Sequence, residues 1–397
     1  MEIKNRNKMS NVPNLRFREF EGEWEEKRLG ELVENTAERI STSFLSVDNY
    51  ISTENILQNF QGVIPATSIP HNINVVAFRK DDVLFSNIRP YLKKVWYASV
   101  DGGCSADVFV FRNNKICLPQ FLYHSIANDK FINYAMSGTK GVKMPRGDRQ
   151  QINQYPTYIP SYPEQEKITK FLSFLDDRIS TQSQIIKELE TLIKMLSKKL
   201  FFQELRFKDD NGNDFPDWEM CKLSDICSFY SGGTPQSTNN SYYNGSIPFI
   251  RSGEINSDKT ELFISEAGLT NSSAKIINQG DLLIALYGAT SGEIAISKME
   301  GAINQAILCV KTIQNKEFLK FLWKIHKEQI LSSFLQGGQG NLSAEIIKNL
   351  KFLFPKMEEQ AKIANLLSVI EYKLTIEQKL LSEYQKQKTY FLNQMFI

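Results

Sequence analysis

IPSYPEQEKITKFLSFLDDRI, Ile159 to Ile179, and FPKMEEQAKIANLLSVIEYKL, Phe354 to Leu374, are one pattern written twice. They start 195 residues apart (354 − 159), and their register aligns Pro160 with Pro355, Gln165 with Gln360, Lys167 with Lys362 and Ile168 with Ile363. It runs on without a gap until Phe201 meets Phe396. Upstream, LRF at Leu15 recurs at Leu205, Trp24 recurs as Trp218 and Leu29 as Leu223. Inside the intervening segments KDDVLFS near Asp82 echoes QGDLLIA near Asp281, and SGTKG at Ser137 echoes QGGQG at Gln336. The displacement drifts between 190 and 199, as loops that gain and lose residues require. A repeat of this size is a repeated folding unit, so the order is globular unit, helix, globular unit, helix.

The helices follow from spacing. Ile168, Leu172, Leu175, Ile179, Gln182, Ile186, Leu189, Ile193, Leu196 and Leu200 advance by alternating steps of four and three, the period of a coiled-coil seam. The second copy places Ile363, Leu367, Ile370, Leu374, Glu377, Leu381, Tyr384, Lys388, Phe391 and Met395 at the same positions. Its first polar break, Glu377, sits opposite Gln182 in the repeat register, and a polar residue in an apolar seam commonly fixes register or orientation. A helix of about 40 residues is roughly 60 Å long and cannot bury its stripe alone. Two arrangements would cover it: each helix mates with a different partner, or the two pair with each other. The repeat favours an antiparallel pair related by a pseudo-twofold.

The chain of 397 residues exceeds one core, and 42% hydrophobic with 23% charged residues is ordinary for a globular protein. The expected boundaries are an N-terminal segment 1–23, a domain 24–160, a central helix 161–203, a linker 204–217, a second domain 218–355 and a C-terminal helix 356–397. Short strand-like runs such as DVLFS at Asp82 and DLLIAL at Asp281 alternate with turn signals and helical stretches, so each domain reads as α+β with a curved sheet. Met9 opens a stretch that reads as an alternative start, and Met1–Ser10 is polar and basic without an apolar core. With apolar runs no longer than Leu282–Leu286, neither export nor membrane insertion is expected. Cys104, Cys117, Cys221, Cys227 and Cys309 form no CxxC pair, which points to a reducing cytoplasm without structural zinc.

The chain holds no GxxxxGK[ST], GxGxxG, HExxH or GxSxG, and no Pro-Pro from which a flipped-adenine clamp is built. PDWEMCK, Pro216 to Lys222, superficially resembles a nuclease carboxylate cluster, but Glu219 and Lys222 are three apart where two are needed; it reads as linker. What remains is polar loops. Net charge is only +2, so any nucleic-acid surface must be local. In the first unit FRKDDVLFSNIRPYLKK supplies Arg79, Lys80, Arg89, Lys93 and Lys94, and TKGVKMPRGDR supplies Lys140, Lys143, Arg146 and Arg149. Each run carries a net +3 and suits phosphate contacts or arginine-to-guanine readout. In the second unit the loops are rich in Gly, Gln and Asn: Ser231, Thr234 and Gln236 in SGGTPQS, Arg251 in IPFIRSGEI, Tyr287 and Thr290 in YGATSGE, and Gln336, Gln339 and Asn341 in LQGGQGNLS. Their amides and hydroxyls match base edges, and their glycines allow close backbone approach.

NLRFREFEGEWEEKRLGEL at the front, SGGTP, IPFIRSGEI, LLIALYGATSG, INQAI and GNLS in the second unit, and the twice-written helix start together resemble the specificity subunits of type I restriction-modification systems. The resemblance covers nearly the whole chain and is weakest between Lys80 and Gln150. It implies two target-recognition domains held by paired helices, each reading one half of a split DNA sequence. It further implies two modification subunits, which carry S-adenosylmethionine and methylate adenine at N6, and two restriction subunits, which use ATP and Mg. The chain itself would hold no cofactor and catalyse nothing. Adenine N6 is buried in the duplex and needs a flipping pocket, whose motif is missing here. A rod of this length suits half-sites about one helical turn, 34 to 36 Å, apart. The competing readings are a coiled-coil scaffold and a silent cassette that donates recognition domains. Unlike arms, one rich in Lys and Arg and one in Gly, Gln and Asn, should read unlike half-sites.

Overall fold

The computed structural model describes residues 11–34, 36–139, 141, 143–334 and 341–397. Lys140, Gln336, Gln339 and much of the SGTKG and QGGQG pair lie outside them. The chain divides into two units, one drawn from the stretch up to Ser183 with Lys379–Ile397, the other from Gln184–Gln378. Each unit thus takes the first part of one long helix and the last part of the other.

In the first unit the run VLFS forms strand Val83–Ser86, buried along its length. Successive strand residues face opposite sides, so Val83 and Phe85 enter a core with Phe111, Phe121 and Phe131, while Leu84 enters another with Ile51, Phe78 and Cys104. The strand is central in an antiparallel sheet ordered Val33–Glu34, Val108–Asn113, Val83–Ser86, Val95–Tyr97. A second sheet orders Arg39–Ser41, Asn74–Phe78, Gly102–Cys104 and Tyr50–Ile51, the last pair parallel. Helices Pro119–Ile126 and Asp129–Ser137 cover the first core.

The second unit repeats this plan. Leu282–Ala285 is buried throughout; Leu282 and Ile284 face one core and Leu283 and Ala285 the other. Its sheet is ordered Cys227–Ser231, Ile307–Thr312, Leu282–Ala285, Ile294–Ile296, all antiparallel. Its companion is ordered Phe263–Ile264, Tyr243–Ile250, Gly301–Ile303, Lys275–Ile277. The Asp82 and Asp281 echo therefore marks equivalent strands. PDWEMCK is not linker: Glu219–Lys222 pairs with Lys351–Phe354, as Glu25–Arg28 pairs with Pro156–Ile159.

The two long helices, Tyr162–Phe201 and Met357–Met395, pack together. In the first unit Phe171 meets Phe391 edge-on at 4.8 Å, Asp176 pairs with Lys388, and Arg178 lies 5.7 Å over Tyr384. Numbers that rise on one helix and fall on the other make the pair antiparallel. In the second unit Leu196 and Leu200 share a core with Ile363 and Leu367. Every seam position named above is buried or half-buried, Gln182 and Glu377 included. Separate partners are not needed to cover this stripe.

Each helix is fastened at its first turn. Glu164, 1% exposed, accepts from Arg16 Nε and Nη2 at 2.8 Å each and from Trp24 Nε1 at 3.3 Å. Glu359, fully buried, accepts from Arg206 Nε at 3.2 Å, Arg206 Nη2 at 2.9 Å and Trp218 Nε1 at 3.1 Å. The adjacent glutamine bridges to the sheet. Gln165 accepts from Leu118 N and donates to Pro160 O; Gln360 accepts from Asn315 N and donates to Pro355 O. The expected linker and N-terminal segment are thus equivalent straps, each delivering one arginine. Breaking a buried pair from one side leaves an unanswered charge. Arg206→Ala should lower unfolding free energy by about 3 kcal/mol, whereas Arg206→Met with Glu359→Leu should recover most of it in urea titrations.

Candidate nucleic-acid interface

Both units gather loops at one end of their sheets. In the second, Ser231 is level with Leu308, Ala285 with Ile307, and Ile250 with Ile303, so four strands end together where Ile307–Thr312 begins. The connection Asn304–Ala306 is their hub. Gly232 N donates to Asn304 O at 3.2 Å and Leu286 N to Ala306 O at 2.8 Å, while Leu342 N donates to Leu286 O at 3.0 Å. This brings Ser231, Thr234, Gln236, Tyr287, Thr290 and Asn341 to one edge, Thr290 half-buried and the others exposed. The turn Ser252–Glu254, beside Arg251, packs against Gly288–Thr290. The glycines of SGGTP serve close packing: a Cβ on Gly232 would fall 1.7 Å from Ile303 O.

In the first unit Ser86 is level with Val108 and Ile51 with Cys104. Asn87 N donates to Asp107 O at 2.9 Å, Gly147 N to Asn87 O at 2.8 Å and Arg89 N to Pro145 O at 2.8 Å. Exposed Arg89, Lys143 and Arg146 meet here, and Arg146 Nη1 stands 3.2 Å from Asp107 Oδ1. A groove lined by Thr53, Asn55, Thr67, Ser105 and Asp107 opens on the same edge.

Several sequence candidates lie elsewhere or are already engaged. Arg79 and Lys80 precede strand Val83–Ser86 and lie at its other end, roughly 13 Å away at strand rise, with Arg79 bound to Glu38 at 2.6 Å. Lys93 pairs with Asp129 at 2.7 Å, and Lys94 donates to Thr53 O, its burial pushing its pKa down. The run FRKDDVLFSNIRPYLKK therefore does not form one patch. Arg149 is packed inward: its guanidinium lies 4.6 Å from the Phe111 ring centroid and 5.1 Å from that of Phe109, and Nη2 donates to Val110 O. Arg251 spends its fork on Glu254 at 2.7 Å and Glu261 at 3.4 Å, and those carboxylates hold its pKa up.

Sequence reading missed Asp107 and Gln305, hub residues with no distinctive spacing, and the helix-root glutamates, which share the 195-residue displacement. The other end of each sheet is the root. Val108–Asn113 leads to Leu118, fixed by Gln165, and Ile307–Thr312 leads to Asn315, fixed by Gln360. Loop edge and helix attachment thus occupy opposite ends of equivalent strands. Among the described residues no helix is long and apolar enough to cross a membrane.

A family model described as type I restriction modification DNA specificity domain matches twice, over residues 21–191 and 216–385. The chain is 24% identical over 302 residues to the MjaVIII specificity subunit of Methanocaldococcus jannaschii, covering 71% of this chain and 70% of that one. It is 22% identical over 420 residues to the HindI specificity subunit of Haemophilus influenzae, covering 85% and 90%. In fold it is similar to the S subunit of a type I restriction-modification system from M. genitalium, with a TM-score of 0.65 at 14% identity over 97% of this chain and 99% of the other. A chain from a type I restriction-modification assembly gives 0.54 at 20% identity, covering 93% and 96%. With two matched domains spanning most of its length, on units that each present one loop edge, this chain belongs to the type I restriction-modification DNA specificity family.

Proposed function

We propose that this chain is the non-catalytic reader of a type I complex, each unit contacting one half of an asymmetric, split DNA target through its loop edge. The observation that carries this is the opposition of ends: equivalent strands are tied to a long helix at one end and present unlike polar side chains at the other. The first edge offers Arg89, Lys143 and Arg146; the second offers Ser231, Thr234, Gln236, Tyr287 and Asn341. Arg146, held by Asp107, suits guanine, and Arg89 and Lys143 suit phosphates.

The helices would dock two modification subunits. Their outward sides carry Phe174, 58% exposed, and Val369, 68% exposed, at the same repeat position, with Tyr372 and Ile376 beside the latter. Two equivalent apolar positions suit two copies of one partner. Base flipping and methyl transfer to adenine N6 would occur in those subunits, with S-adenosylmethionine, and cleavage in restriction subunits with ATP and Mg.

Sequencing DNA from a methylation-free host that expresses this chain with its modification partner should reveal a split, asymmetric motif carrying N6-methyladenine. A palindromic or unbroken motif would contradict the reading. In gel shifts of the purified complex, Arg89→Ala with Lys143→Ala should weaken binding to all sequences and flatten the salt dependence by about one to two units of log–log slope. Arg149→Ala should leave that slope unchanged and lower stability by about 1 to 2 kcal/mol, seen in thermal melts.

A further inference from the structure

Gln305 is the exposed middle residue of the hub, flanked by the buried Ile303 and Ile307. No core needs this side chain, yet it is held. Thr234 Oγ1 donates to Gln305 Oε1 at 2.8 Å. The backbone beneath is fixed on both sides by Gly232 and Leu286, and Ala306 N donates to Asn304 Oδ1 at 3.0 Å. With Oε1 turned to Thr234, the two Nε2 hydrogens point away from it.

A glutamine that reads adenine uses both ends of its amide, accepting from N6 and donating to N7. Here Thr234 takes one of the two lone pairs of Oε1 and holds the amide in one orientation, so Nε2, with two donors, is the fuller hydrogen-bonding group left for a base. Its complement in the major groove is the acceptor pair of guanine, N7 and O6. The first unit has no counterpart: the matching bonds, Asn87 N to Asp107 O and Leu286 N to Ala306 O, align Gln305 with Ala106. We infer that Gln305 is a base-reading side chain of the second unit that selects guanine, and that Thr234 is its positioning residue. The inference rests on the specificity reading above.

The test compares methylation motifs from the same host for the wild-type chain, Gln305→Ala, Gln305→Glu and Thr234→Val, each co-expressed with the modification partner. Gln305→Ala should relax one guanine of one half-site by about tenfold, the scale of a single base contact, and leave the other half-site as an internal control of folding. Gln305→Glu should move preference at that position to cytosine, whose N4 donates. Thr234→Val should relax the same position by less. A wild-type motif retained at every position in Gln305→Ala, within twofold, overturns the assignment alone. A wild-type chain that yields no motif overturns the specificity reading and this inference with it.

Discussion

A carboxylate withdrawn from water must be answered by charge and hydrogen bonds at contact distance, and each half of this chain is organised around one. Glu164 and Glu359 stand in the first turn of a long helix, where the helix dipole also favours negative charge. Their partners come from far away in the chain: Arg16 from 148 residues upstream and Trp24 from 140, Arg206 from 153 and Trp218 from 141. One buried group therefore fixes three things, the strap, the helix entry and, through the neighbouring glutamine, the end of the central sheet. Aromatic packing follows the same plan. Trp24, Phe121 and Phe396 pack ring against ring, and Trp218 and Phe201 both pack on Phe318.

Much of this was legible because it depends on period and repetition. The seam from Ile168 to Leu200 could be read from alternating steps of four and three, and burial follows it closely. The Asp82 and Asp281 echo located equivalent strands because strands buried on both faces demand unbroken apolar runs of one length. The straps were legible as a repeat but not as structure. Leu15–Phe17 and Leu205–Phe207 stand out as a repeated LRF but read only as N-terminal segment and linker, and the contacts of Arg16 and Arg206 show them as parts of the core frame.

The basic runs are not gathered into single patches, for a physical reason. Charge counted along a sequence ignores that a strand carries its two ends apart, so Arg79 and Arg89, ten residues apart, serve opposite ends of the sheet. Nor does a sequence reveal what a cation already faces. Arg112 is bound to Asp82 at 2.9 Å, Lys311 to Asp281 at 2.6 Å and Arg149 lies against two rings, so these cations are already answered within the fold. The seam diverges similarly. Asp176 pairs with Lys388 of the facing helix, while its counterpart Glu371 takes Lys320 and Lys324 from the helix Lys316–Phe334. One charged position is satisfied by two different sources.

The loop edges obey another rule. Asn87 N to Asp107 O and Gly147 N to Asn87 O in one unit correspond to Leu286 N to Ala306 O and Leu342 N to Leu286 O in the other. The side chains at these positions share nothing: Asn87 against Leu286, Asp107 against Ala306, Gly147 against Leu342. Because the bonds run from backbone N–H to backbone carbonyl, they constrain residue identity only where space is tight, as at Gly232. A surface held by its backbone can exchange its side chains without losing its shape. The frame, by contrast, depends on particular side chains, a glutamate, an arginine, a tryptophan and a glutamine, which is why those recur in both halves while the edges have become unlike.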